Sequence, residues 1–188
     1  VNGFPGEAPV RPNLSIGDTL AGIHCVLGVL LACIQRSRDP EKRGQVIDAA
    51  MVDGTAQLMW MFHGFHASGM WDADQRGANM LDGGAPYYGT YETSDGKYIA
   101  IGSIEPQFYA ELVARAGLDA QVFAPGSQND RGQWPDFSAR LTALFLTRTR
   151  DEWCTLMEGT DVCFAPVLTM TEAPDHPHNR ARGTYIDV

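Results

Sequence analysis

The chain is short of positive charge, short of cysteine and without a long unbroken apolar run, and each shortage removes a class of function. Its 188 residues carry 14 Lys and Arg against 23 Asp and Glu, a net charge of −9. Nucleic acid and anionic membrane surfaces bind basic faces, so no nucleic acid and no membrane is expected as a partner, and small molecules are favoured. The four cysteines, Cys25, Cys33, Cys154 and Cys163, contain no C-x-x-C pair. Two of them lie in the most apolar segment, where free cysteine behaves as a small hydrophobe, and a reducing compartment fits this usage. No internal repeat or low-complexity tract is present, and no basic stretch followed by an apolar one opens the chain. Because it begins at Val1 rather than Met, it is expected to be a piece of a longer protein. The apolar run at residues 20–34 falls below the roughly 18–20 residues of a membrane span and contains Gly22, His24 and Gly28, so a buried helix is expected.

What is present is apolar content of 44%, enough at this length for a core of one domain or one and a half. Asp18 stands at the start of the apolar run as a candidate N-cap, since a carboxylate there accepts backbone N–H bonds and faces the positive end of the helix dipole. Arg36 to Arg43, with Pro40, closes that helix. Gly44-Gln45-Val46-Ile47-Asp48 reads as a short strand leading into a second helix over residues 51–68. Met59, Trp60, Met61, Phe62 and Phe65 give that helix a broad apolar surface suited to a subunit or domain interface. His63 and His66 share one of its faces, but no acid or cysteine pattern accompanies them, so no metal is expected.

Residues 71–86, rich in Gly, Asp and Ala, read as a linker between a portion of a large domain (1–70) and a small domain with the start of a return segment (87–188). Gly83-Gly84 lacks the strand–loop–helix setting of a phosphate loop. Tyr87 to Thr93 and Lys97 to Ile101 flank Ser94-Asp95-Gly96, the pattern of an antiparallel hairpin. Glu105-Pro106 then opens a helix to about Ala116, with Pro106 in the first turn where its missing N–H costs nothing. Ile101, Ile104, Phe108 and Tyr109 flank Glu105, and apolar surroundings raise a carboxyl group toward the range useful to a general acid or base. Equally, Glu105 serves as a simple cap. Further helices are expected at residues 134–146 and 150–158, the second capped by Thr149 with Glu152 three positions on. A strand over 162–168 and a turn-rich or short helical segment containing His176 and His178 complete the chain. The histidine pair has no third ligand in view.

Taken together, Ile16-Gly17-Asp18-Thr19-Leu20-Ala21-Gly22, Gly44-Gln45-Val46-Ile47-Asp48, Leu81-Asp82-Gly83-Gly84-Ala85-Pro86-Tyr87-Tyr88, Gly102-Ser103-Ile104-Glu105-Pro106-Gln107-Phe108-Tyr109, Pro166-Val167-Leu168 and His176-Pro177-His178-Asn179-Arg180-Ala181-Arg182-Gly183 resemble the middle-to-C-terminal portion of the family III CoA transferases. Within that family they are most similar to the racemases of 2-methylacyl-CoA thioesters. The resemblance implies an α/β fold, mixed α+β in this portion: helices of a large domain plus a smaller domain with an antiparallel hairpin. It also implies an interlocked homodimer whose active sites lie between domains of different subunits. The substrate is an acyl-CoA, coenzyme A being part of the substrate, and no further cofactor is implied. In the racemase branch the residues matching Asp18 and Glu105 join a histidine from an earlier segment to move the α-proton between faces. In the transferase branch the residue matching Asp18 is a nucleophile that forms a mixed anhydride, covered by a glycine-rich loop near the place of Glu105. Ser103-Ile104-Glu105-Pro106-Gln107 is the racemase form, whereas Asp18-Thr19-Leu20-Ala21-Gly22 is the general family form, so both branches stay open. Most CoA contacts are implied to lie outside these residues, and the fragment alone is expected to be inactive. The compartment expected is the cytoplasm, or the peroxisome or mitochondrion of a eukaryotic cell. A non-catalytic dimerisation module, with both acids as caps, is the reading from a different class.

Overall fold

The structure, a computed structural model, describes residue 3 and residues 5–186. The chain divides into two compact units, Val1–Gly77 and Ala78–Val188.

The first unit is helical. Helix α1 spans Ile16–Arg38, with Asp18 in its first turn and Arg36 and Arg38 in its last, so charge of the favourable sign sits at each end of its dipole. It packs on α2 (Met51–Leu58), where Gly54 allows the close approach: a Cβ there would stand 3.2 Å from His24 Nδ1. Ile47 crosses α1 at Gly28, where a Cβ would meet its Cγ2 at 2.8 Å. The buried helix expected at 20–34 is instead a 23-residue helix with no buried residue, Val26 being 60% and Leu31 64% exposed. Length and composition alone would let it cross a membrane. The strand expected at 44–48 is extended coil, with Val46 95% exposed. A strand needs a partner ladder, and the described residues of this unit offer none. The single helix expected over 51–68 is two, α2 and α3 (Trp60–Ala67), because the backbone at Met59 (φ −87°, ψ 1°) tightens and its N–H bonds to Ala56 O at 3.0 Å. Phe62 and Trp71 meet edge to face at 4.9 Å.

The second unit is mixed α+β around a three-stranded antiparallel sheet, β1 (Tyr88–Glu92), β2 (Tyr98–Gly102) and β3 (Phe164–Val167), in the order β1-β2-β3. The hairpin forms at the expected place, with Tyr91 opposite Ile99, and Gly96 alone supplies a left-handed residue (φ +70°) in its turn. Thr93 Oγ1 bonds Asp95 Oδ1 at 2.6 Å, and Asp95 accepts the Arg150 N–H at 3.1 Å, which ties the turn to the following helices. Between β2 and β3, Gly102 N donates to Cys163 O at 2.9 Å, which fixes the phase of the ladder. Bonded and non-bonded pairs alternate, so the Ile99 and Pro166 pair is non-bonded and the missing N–H of Pro166 faces away from β2.

Helices α4 (Pro106–Ala116), α5 (Trp134–Phe145) and α6 (Arg150–Met157) cover the sheet's core. Each buries one stripe at helical spacing: Tyr109, Leu112, Val113 and Ala116 from α4, Trp134, Phe137, Leu141 and Phe145 from α5, and Trp153 and Met157 from α6. Phe145 and Trp153 meet edge to face at 5.1 Å, a geometry that adds ~0.5–1.5 kcal/mol beyond area burial. Thr149 and Glu152 form the capping box expected for α6. Arg150 is buried and makes a two-pronged ion pair with Glu172 at 2.7 and 3.1 Å while donating to Val167 O at 2.9 Å. Its guanidinium, together with the Thr169 N–H, holds the Glu172 carboxyl well below the usual carboxylate range.

The stretch 78–86 folds into this unit. Asn79 is fully buried, its N–H donates to Asp82 Oδ1 at 2.7 Å, its side chain to Asp82 Oδ2 at 2.9 Å, and its carbonyl accepts from Gly84 N at 3.0 Å. The loop thus closes on itself, and Ala85 and Tyr87 enter the core directly after it. Helix α7 (Pro177–Arg182) is the last helix among the described residues.

Candidate active site

Each of the two acids stands at a helix entrance, one in each unit. Asp18 is the third residue of α1, not its cap: the N-cap is Ser15, whose side chain makes no capping bond. The helix starts three residues before the position the acid suggests, with its cap at Ser15. Asp18 is exposed, and among the described residues no side chain bonds to its carboxylate. It lines an open depression of about 380 Å³ with Arg11, Asn13, Ser15, Ile16 and Met51. Next to this, Leu14, Ile16, Thr19, Leu20, Ile23 and Leu58 line an apolar depression of about 330 Å³.

Glu105 is the N-cap of α4, in extended backbone (φ −72°, ψ 144°), and its carbonyl accepts the Phe108 and Tyr109 N–H groups, each at 3.0 Å. The side chain makes no capping bond. Its apolar surroundings do not materialise: Ile101 and Tyr109 turn into the core, whereas Glu105 is exposed. The geometry of an N-cap explains this, since the neighbours on the helix stripe point inward while the cap residue projects off the end. The carboxylate is therefore held at the positive end of a helix with its oxygens free for an outside partner.

Two features beside Glu105 had no signal in the sequence. Cys163 lies across the sheet end from it with left-handed backbone (φ +57°); it is exposed, and partial desolvation, with the charges of Glu105 and Asp161, pushes its thiol up. Beneath Glu105 is a buried polar cluster. Ser103 Oγ donates to Val162 O at 2.6 Å, and Gln128 Nε2 donates to Ser103 O at 3.2 Å and Ile104 O at 2.8 Å. Trp134 Nε1 donates to Gln128 O at 2.9 Å. A glutamine in the polar loop 124–133 shows no periodicity that would mark it as buried.

His66 Nδ1 lies 3.2 Å from Trp71 O, His176 Nε2 lies 2.9 Å from Glu158 Oε1, and His63 and His178 are exposed. Among the described residues no three His, Cys, Asp or Glu side chains group as metal ligands do.

A small antiparallel sheet backed by helices, a separate helical unit, and a lone carboxylate at the entrance of one helix in each define an α/β protein of one known architecture. A CaiB/BaiF family protein from Brucella suis has the same fold, with a TM-score of 0.71 at 24% identity over all of this chain and 49% of that one. The chain belongs to CoA-transferase family III, whose model matches residues 1–188. It is 44% identical to the mouse alpha-methylacyl-CoA racemase over 185 residues, 98% of this chain and 47% of that protein. It is 30% identical to the succinyl-CoA–D-citramalate CoA-transferase of Chloroflexus aurantiacus, over all of this chain and 46% of that protein. The chain thus spans about half the length of the curated relatives it matches.

Proposed function

We propose that the complete protein is an acyl-CoA racemase that inverts the α-carbon of 2-methyl-branched acyl-CoA thioesters. The observation that carries this reading is the gap between 44% identity to a racemase and 30% to a transferase over the same residues. The two free carboxylates agree with it. A thioester α-proton is weakly acidic, so inversion needs a base on one face, a protonated group on the other, and stabilisation of the enolate between them. The base takes the α-proton, the Cα–H electron pair becomes the carbon–carbon double bond of the enolate, and the carbonyl π pair moves onto the thioester oxygen. A proton from the opposite face then returns to Cα, and no atom is gained or lost.

In this scheme Asp18 serves one face, and Glu105, coupled to a histidine outside this chain, supports the other. The reading requires the two carboxylates to face one thioester-sized cavity in the assembled homodimer. Coenzyme A enters as part of the substrate, and no separate cofactor takes part.

In the complete protein, Glu105→Gln and Asp18→Asn are each expected to slow exchange of the substrate α-proton with deuterated water by about 10²- to 10⁴-fold. Parental exchange in both variants refutes the mechanism. A transferase would instead move CoA between carboxylic acids and form an anhydride at Asp18 that hydroxylamine traps, with little α-deuteration.

A further inference from the structure

We infer that Gln128 is a positioning residue for Glu105. The inference rests on the role proposed above for that carboxylate, but its argument is geometric. Strand β2 ends at Gly102 and helix α4 begins at Pro106, so the carbonyls of Ser103 and Ile104 fall between two ladders and take a partner from neither. The Gln128 side chain supplies both partners from one amide group, at 3.2 and 2.8 Å, and is itself 1% exposed. Its own backbone is pinned by Trp134, whose indole donates to Gln128 O. Ser103, fully buried, is held on its other sides by its N–H to Tyr87 O at 2.9 Å and its hydroxyl to Val162 O.

The peptide that leads into Glu105 is thereby fixed from three directions, while the Glu105 side chain has no bond of its own. A carboxylate without a side-chain partner takes its place only from its backbone, and here the last backbone carbonyl before it is set by Gln128. Displacement of a catalytic group by about 1 Å can cost as much as 10²-fold in rate. Loss of the Gln128 amide leaves two carbonyls without a donor, and the segment must shift to find water. The expected consequence falls on the placement of Glu105 more than on substrate affinity.

The test uses the complete enzyme and α-proton exchange as readout. Gln128→Met, which keeps the length and removes the donor, is expected to lower kcat by roughly 10- to 100-fold with KM within about twofold. Gln128→Glu, which keeps the shape, is expected to do the same and stands in if the methionine variant fails to fold. Combined with Glu105→Gln, neither substitution is expected to lower kcat further, because residues acting as one unit are not additive. Trp153→Phe removes an equivalent buried bond, to Phe145 O, and is expected to lower the melting temperature while leaving kcat unchanged. Amide hydrogen exchange at Phe108 and Tyr109 is expected to quicken in the Gln128 variants independently of activity. Parental kcat in both Gln128 variants beside an impaired Glu105→Gln overturns this inference alone, as does an equal loss in the Glu105→Gln background. Full activity of Glu105→Gln overturns the functional reading beneath it.

Discussion

Replacing Gly84 by alanine puts a methyl group where backbone already stands. A Cβ at this position lies 2.6 Å from the carbonyl carbon of Ala78 and 2.7 Å from both the nitrogen and the oxygen of Asn79. Carbon atoms pack favourably only from about 3.5 Å outward. The neighbours cannot step aside cheaply, because Asn79 is tied to Asp82 through its N–H and to Gly84 through its carbonyl, and its side chain is buried. Overpacking of this kind costs about 1–3 kcal/mol, and the lost backbone freedom of the unfolded chain returns only about 0.4–1 kcal/mol. A net loss of about 1–2 kcal/mol is expected, equivalent to roughly 5–10 °C in the melting temperature of a unit of this size. Urea denaturation of the complete protein, followed by tryptophan fluorescence, measures it. Gly64→Ala is the comparison: nothing stands within 4 Å of a Cβ at that position in α3, so a gain of about 0.8–1 kcal/mol is expected. A Gly84→Ala protein within about 0.5 kcal/mol of the parent, the range of an ordinary surface change, refutes the closed Asn79-to-Gly84 loop.

Thr149→Ala removes the hydroxyl that accepts the Glu152 N–H at 3.3 Å and is expected to cost about 1 kcal/mol, whereas Thr149→Ser keeps the cap; the difference in urea midpoint reads it directly. Glu172 gives a pH dependence whose sign follows from its lowered carboxyl. The folded form binds this proton more weakly than the unfolded form, so the stabilisation is fully present above the unfolded value of about 4.3 and drains away as pH falls below it. Glu172→Gln should flatten the acid limb of a stability–pH profile; an unchanged limb would mean that the Arg150 pair does not form.

The second unit was largely legible because its signals are local. Ser94-Asp95-Gly96 marks the hairpin, Thr149 and Glu152 mark the start of α6, and Pro106 marks the first turn of α4. The first unit was less so, because its errors concern partners. Among the described residues, 44–48 have the composition of a strand but no strand to pair with, and α1 has the composition of a buried helix but only α2 and Ile47 against one side of it, which leaves none of its residues buried. That two acids stand at helix entrances was readable, yet the environment of Glu105 was not. Flanking apolar residues say what lies nearby in sequence, and only the N-cap geometry shows that Ile101 and Tyr109 turn one way and the carboxylate the other. Gln128 was silent for the same reason: its partners are 25 and 24 residues away.

Pro166 has a consequence beyond its own ladder. A stray extended segment that tried to lengthen the sheet past β3 would find, at the middle of its landing edge, a ring where a donor is required. Templated growth of the kind that turns small sheets into fibrils is obstructed on that flank by a single imino acid, at no cost to the pairing that holds β3 in place.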